Sequence, residues 1–125
     1  MSDDEGSVDG VTTIAGIAQL SPQQAFEALS DGDAALVDVR TRAEWAFVGL
    51  PDLSPVGAQP VLVEWRRYPD MSPNSEFAAQ LMDAFGDALP GKLLFLCRSG
   101  GRSQEAALAV SRALAERGAR SACCN

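Results

Sequence analysis

Any chemistry in this chain of 125 residues has to be argued from Cys97. It opens the stretch Cys97-Arg98-Ser99-Gly100-Gly101-Arg102-Ser103, which sets a nucleophile beside two arginines and two glycines. A cysteine attacks only as its thiolate, so something must draw its pKa below the ordinary value of about 8.5. Histidine commonly does this. The chain has none, which removes Cys–His protease or amidase chemistry. What remains is cationic. Arg98 and Arg102 stay charged at any ordinary pH, and Gly100 and Gly101 let the backbone curl so that successive N–H groups face inward as an anion cradle. Such a cradle suits a thiolate, and equally a negatively charged adduct on the same sulfur. The plain alternative makes Cys97 a small core residue and the glycines an ordinary turn, but it leaves the two arginines without a reason.

The flanking segments say how that thiol is positioned. Lys92 to Leu96 is an apolar run bounded by Pro90-Gly91 and reads as a buried strand. Ser103 to Arg117 reads as a helix, with Ala107, Val110 (or Ser111) and Leu114 on one face and Gly118 as its stop. The thiol therefore stands at a strand tip, in a loop expected to be exposed, ahead of a helix N-terminus. Orphan N–H groups and the positive end of the helix dipole converge there and favour an anion.

The rest of the chain supplies the frame. Ser21, Pro22 and Gln24 mark the start of a first helix, with Phe26 and Leu29 expected on its inner face and Asp31-Gly32-Asp33 as its end. Ala34 to Val39 reads as a buried strand finishing in Asp38-Val39-Arg40, and Thr41 to Glu44 is a capping box opening a short helix through Trp45 and Phe47. Asp38, Arg40 and Glu44 are either a local salt-bridge cluster that holds the turn or a brace behind the Cys97 loop. Val61 to Trp65 reads as a strand, and Arg66 and Arg67 as a solvated edge, with added charge near an anionic substrate as the alternative. A longer helix is expected from Asn74 or Ser75 to about Leu89, with Phe77, Leu81, Phe85 and Leu89 as its core stripe. Ser121 to Cys124 reads as a last strand, on which Cys123 and Cys124 alternate as small packing residues. Trp45 and Trp65 read as core, with pocket lining as the alternative. Strands alternating with helices predict an α/β fold, a parallel sheet with helices on both faces. Ligands of such sheets bind beyond the carboxyl ends of the strands, where Cys97 and Asp38 both fall.

Composition narrows the partners. Hydrophobic residues make up 46% and charged residues 22%, which argues against global disorder. A formal net charge of −7 argues against nucleic acid and against an anionic membrane surface. No apolar run approaches the ~18 residues of a membrane span, and Met1-Ser2-Asp3-Asp4-Glu5 lacks the order of a signal peptide. The expected compartment is the cytoplasm. Residues 1–12 read as an acidic flexible tail and 13–125 as one domain. Cysteines at 97, 123 and 124 form neither a disulfide framework nor a metal-site spacing.

The stretch from Cys97 to Arg102 resembles the active loop of the rhodanese (sulfurtransferase) family. Cysteine-based phosphatases carry a wider loop between Cys and Arg. Asp38-Val39-Arg40 followed by Glu44-Trp45 also resembles a rhodanese signature after an early strand. Where that family continues with a histidine-containing segment, this chain has Gly49-Leu50-Pro51-Asp52-Leu53. The resemblance covers roughly residues 18–125 and stops short of the family's last C-terminal element. It implies a small rhodanese-like sheet and a sulfurtransferase in which Cys97 carries the transferred sulfur as a persulfide. Arg98, Ser99, Gly100, Gly101, Arg102 and Ser103 would form the substrate-binding loop, supported by Asp38, Arg40 and Glu44. The implied partners are a small anionic donor such as thiosulfate and a thiol, cyanide or sulfur-carrier protein as acceptor, with no metal or organic cofactor. Two rivals stand beside it: a non-enzymatic persulfide carrier or regulatory module, and a small phosphatase or arsenate reductase of related fold.

Overall fold

A computed structural model of the chain describes residues 5–8, 11–67, 69–98, 100–118 and 121–125. Its first half runs β1 (Glu5–Val8), β2 (Val11–Ile14), β3 (Ile17–Gln19), α1 (Pro22–Ser30), β4 (Ala34–Asp38), α2 (Arg42–Phe47) and a 3-10 turn at Ser54–Val56. The second half runs β5 (Val61–Leu62), β6 (Arg66–Arg67), β7 (Ser72–Pro73), α3 (Phe77–Phe85), β8 (Lys92–Leu96), α4 (Gly101–Glu116) and β9 (Ala122–Cys124). The main sheet has the order β1-β2-β3-β9-β8-β4-β5. It is parallel from β3 to β5, with β1 and β2 added antiparallel at one edge. This is a mixed α/β fold, its mostly parallel central sheet flanked by helices.

The two-residue period of the central strands sorts the core. Leu93, Phe95 and Cys97 point with Val37, Val39 and Cys123 into the layer under α3 and α4, where Phe77, Leu81, Ala107, Val110 and Leu114 meet them. Leu36, Leu94 and Cys124 point the other way, against Leu29 of α1 and Leu53 and Val56 around the 3-10 turn. Cys123 and Cys124 thus pack on opposite faces of β9. Leu93 sits between paired strands with 0% exposure. Leu93→Ala is expected to cost about 2–5 kcal/mol, read as a shifted denaturation midpoint. A loss below about 1 kcal/mol would show that this layer is not the core.

Several elements differ from expectation. The reading of residues 1–12 as a tail is corrected where the structure is described: residues 5–8 and 11–14 pair in register as a hairpin whose second strand continues onto β3. Residues 1–4 and 9–10 lie outside the described residues. The expected strand Val61–Trp65 keeps only Val61–Leu62, because β4, its partner, ends at Asp38. Beyond that point single bonds carry on, from Val63 N to Asp38 O and from Trp65 N to Val39 O, both at 3.2 Å. Asn74 is spent on the turn before α3, its Oδ1 accepting from Glu76 N at 3.1 Å, and Gly86 ends that helix at φ 57°. The helix is therefore shorter than the apolar stripe through Leu89. In α1 the inner face belongs to Ala25, Ala28 and Leu29, and Phe26 is 48% exposed. Among the described residues no helix is long and apolar enough to cross a membrane.

Candidate active site around Cys97

Cys97 follows β8 directly, and its sulfur lies under the first turn of α4. Gly100, the residue before that helix, adopts φ 94°, a left-handed conformation that favours glycine. This turns the Gly100 N–H onto Cys97 Sγ at 3.0 Å, and the Ser103 N–H follows at 3.4 Å. Ser103 Oγ lies 3.2 Å from the same sulfur. The N–H cradle expected from the glycines is thus built from residues 100 and 103. The thiol is more enclosed than the expectation of an exposed loop allowed: Cys97 is 8% exposed, while Arg98 and Gly101 face solvent. Ser99 lies outside the described residues.

Each flanking acid and base has a traceable place. Arg102, in the first turn of α4, makes a two-pronged bond to Glu44, with Nη1 to Oε1 at 2.6 Å and Nη2 to Oε2 at 2.9 Å. Glu44 also closes the capping box of α2, accepting from Thr41 N at 3.2 Å. One carboxylate therefore ties the start of α2 to the start of α4. Asp38 is fully buried and holds Arg40, with Nε to Oδ1 at 2.9 Å and Nη2 to Oδ2 at 2.7 Å. Arg40 Nη2 also donates to Gly49 O at 2.8 Å. Of the three residues expected to brace the loop, Glu44 reaches it directly through Arg102, whereas Asp38 and Arg40 hold the segment around Gly49.

These parts surround a cavity of about 860 Å³. Arg40, Glu44, Arg98 and Arg102 supply its polar wall, and Val48, Leu50 and Met71 its apolar one. Trp65 packs edge-on to Phe77 with ring centroids 5.1 Å apart, as core. Trp45 and Arg67 line a separate cavity of about 700 Å³, where Arg67 donates to Asn74 Oδ1 at 2.8 Å.

The Arg102 guanidinium holds the Glu44 carboxyl down at about 2, against its ordinary 4.5. A depressed carboxylate pKa stabilises the fold above the unfolded value, and that contribution drains as pH falls through the folded one. Glu44→Gln is therefore expected to cost about 2 kcal/mol at neutral pH, with the gap to the unaltered chain closing between pH 4.5 and pH 2. Thermal melts across that range check it. A gap independent of pH would refute the link.

Burial pushes Cys123 up to about 12 and raises Cys124 as well. Both are thiols at neutral pH. A limiting amount of alkylating agent is thus expected to mark Cys97 ahead of either, as peptide mapping by mass would show; equal labelling of all three would contradict it.

Sequence reasoning missed Gln19 and Asn125, whose amides are bonded to one another at 2.7 Å behind the loop. Asn125 follows the last parallel strand, so the rule that sites gather at carboxyl ends of strands could have drawn it in.

No family model matches the chain. Among solved structures, that of Rv0390 from M. tuberculosis is 44% identical and superposes with a TM-score of 0.67, covering 84% of this chain and 74% of that one. Two curated proteins are each 36% identical over 75 residues, 60% of this chain: the uncharacterized protein RC0915 of Rickettsia conorii and the uncharacterized RP600 homolog of Rickettsia rickettsii. The chain spans 55% of the length of these Rickettsia relatives.

Proposed function

We propose, for a chain that belongs to the same family as Rv0390 from M. tuberculosis, the activity of a rhodanese-type sulfurtransferase working through Cys97. One observation carries the reading. Two backbone N–H groups at a helix N-terminus point at the Cys97 sulfur, and that sulfur borders a cavity walled by Arg98 and Arg102. The Cys97 thiolate attacks the outer sulfur of thiosulfate. A bond forms from Sγ to that sulfur, its bond to the sulfonate sulfur breaks, and the electron pair leaves on sulfite. Cys97 is left as a persulfide anion. An acceptor thiolate, or cyanide in an assay, then attacks the outer sulfur and returns Cys97 as thiolate. The Gly100 and Ser103 N–H groups would hold the anion as an oxyanion hole holds oxygen. Exposed Arg98 draws the donor in, and Arg102, fixed by Glu44, shapes the loop and adds charge.

A second reading has its own support. Val48, Leu50 and Met71 are exposed and line the same cavity, an apolar surface for which an inorganic anion has no use. A carrier that takes its persulfide from a partner protein would use it. Intact mass after incubation with thiosulfate separates the two. One added sulfur, absent in Cys97→Ser, supports the enzyme. No added sulfur from thiosulfate, with uptake from a persulfidated protein, supports the carrier. No uptake from either defeats both.

A further inference from the structure

Behind the loop a line of polar side chains ends on the Cys97 sulfur. Gln104 Nε2 donates to Ile14 O at 2.9 Å, and Gln19 Nε2 donates to Ile17 O at 2.9 Å and to Gln104 Oε1 at 2.7 Å. Asn125 Nδ2 donates to Gln19 Oε1 at 2.7 Å and to Gly100 O at 3.1 Å. Ser103 Oγ donates to Asn125 Oδ1 and lies 3.2 Å from Cys97 Sγ on its other side.

A side-chain amide can turn over, exchanging nitrogen for oxygen with almost no change of shape. Here three backbone carbonyls, of Ile14, Ile17 and Gly100, can only accept, and each holds an amide nitrogen toward itself. Gln19 is thereby made to present its oxygen to Asn125. Asn125 answers with nitrogen, which turns its own oxygen to Ser103. Ser103 has a single hydroxyl proton. Donated to Asn125, it leaves only lone pairs for Cys97, so the hydroxyl can accept from an S–H but cannot donate to a thiolate. Gly100 O, 3.2 Å from Ser103 Oγ, competes for that proton but already accepts from Asn125 Nδ2 and, at 3.0 Å, from Gln104 N, which take up its two lone pairs.

We infer that Gln19, Asn125 and Ser103 form a positioning relay that favours the thiol form of Cys97, set against the Gly100 and Ser103 N–H groups that favour the thiolate. The relay makes Cys97 ionise less readily than the N–H groups and the arginines alone would dictate. It needs Cys97 to be the reactive thiol of the proposed function, but not that sulfur is its substrate. The charged groups around the sulfur lie outside the relay: Arg98 of the loop, Arg102 of α4 with Glu44 of α2, and Arg40 after β4 with Asp38 behind it. The two thiols of β9 are held protonated by burial.

The sign of one measurement tests this. Thiolate absorbance is followed against pH in the unaltered chain, Ser103→Ala and Asn125→Ala, each corrected by its Cys97→Ser counterpart. Both variants are expected to move the Cys97 midpoint down by about half to one pH unit, the worth of one hydrogen bond. Asn125 does not touch the sulfur, so general loosening gives no reason for that direction. A midpoint that stays in place or rises in the folded variants overturns the relay. Gln19→Met, which frees Asn125 from its other side, carries the same expected sign and serves if either variant fails to fold. Failure of the unaltered chain to take up sulfur would sink the proposed function and leave this titration intact.

Discussion

Cys97→Ser is expected to abolish sulfur uptake from thiosulfate and to lower turnover at least about a thousand-fold, to background. The serine hydroxyl is not ionised at neutral pH and cannot carry a persulfide, so neither half of the exchange survives. The fold should largely persist. Serine is smaller than cysteine, but its Oγ can still accept from the Gly100 N–H now 3.0 Å from sulfur, and a loss of about 1 kcal/mol is expected. Cys123→Ser and Cys124→Ser act in reverse. They place hydroxyls in two apolar layers and are expected to cost stability, yet to leave turnover of the folded protein within a few-fold. Substantial sulfur transfer by Cys97→Ser would put the chemistry elsewhere and end the mechanism.

Legibility in the sequence followed the range of the interaction. The helix starts at Ser21 and Thr41 were readable because a capping box is complete within four residues, and both boxes form. Strand Lys92–Leu96 was readable because Pro90-Gly91 bounds an apolar run. What depends on distant partners was not. The length of β5 is set by where β4 ends, and no pattern within Val61–Trp65 carries that information. Glu44 and Arg102 could each be suspected, but their pairing spans 58 positions, and it shows that Arg102 is committed to a carboxylate. Gln19 and Asn125 are 106 positions apart and uncharged, so neither spacing nor charge pattern singles them out. The hairpin of β1 and β2 was hidden for a different reason. Acidic, Gly/Ser-rich composition does not mark a strand, so nothing local to residues 5–8 announces their pairing with residues 11–14.

Asp38→Asn is expected to lose stability first and activity only in proportion. Asp38 is fully buried and takes three bonds from the Arg40 guanidinium, which reaches on to Gly49 O. The amide keeps the shape and one acceptor but removes the charge, leaving a nearly buried guanidinium without its counter-ion. Breaking such a pair costs about 3 kcal/mol. The segment around Gly49 forms the far wall of the Cys97 cavity, so whatever activity is lost should track the unfolded fraction and the looseness of that wall. Arg102→Ala divides the other way. Its partner Glu44 is partly exposed and water can reclaim it, so stability falls less, while the sulfur loses a cation and the loop its tether. Thiosulfate turnover per folded molecule is expected to fall by about ten- to a hundred-fold, the span of a lost charge-assisted contact. Arg102→Lys should recover only part, because a point charge cannot copy a planar fork. Denaturation midpoints and turnover, measured together for the three variants, test this division. If Asp38→Asn kept its stability and lost its activity, Asp38 would belong to the chemistry, and the division of roles between Asp38 and Arg102 would fall.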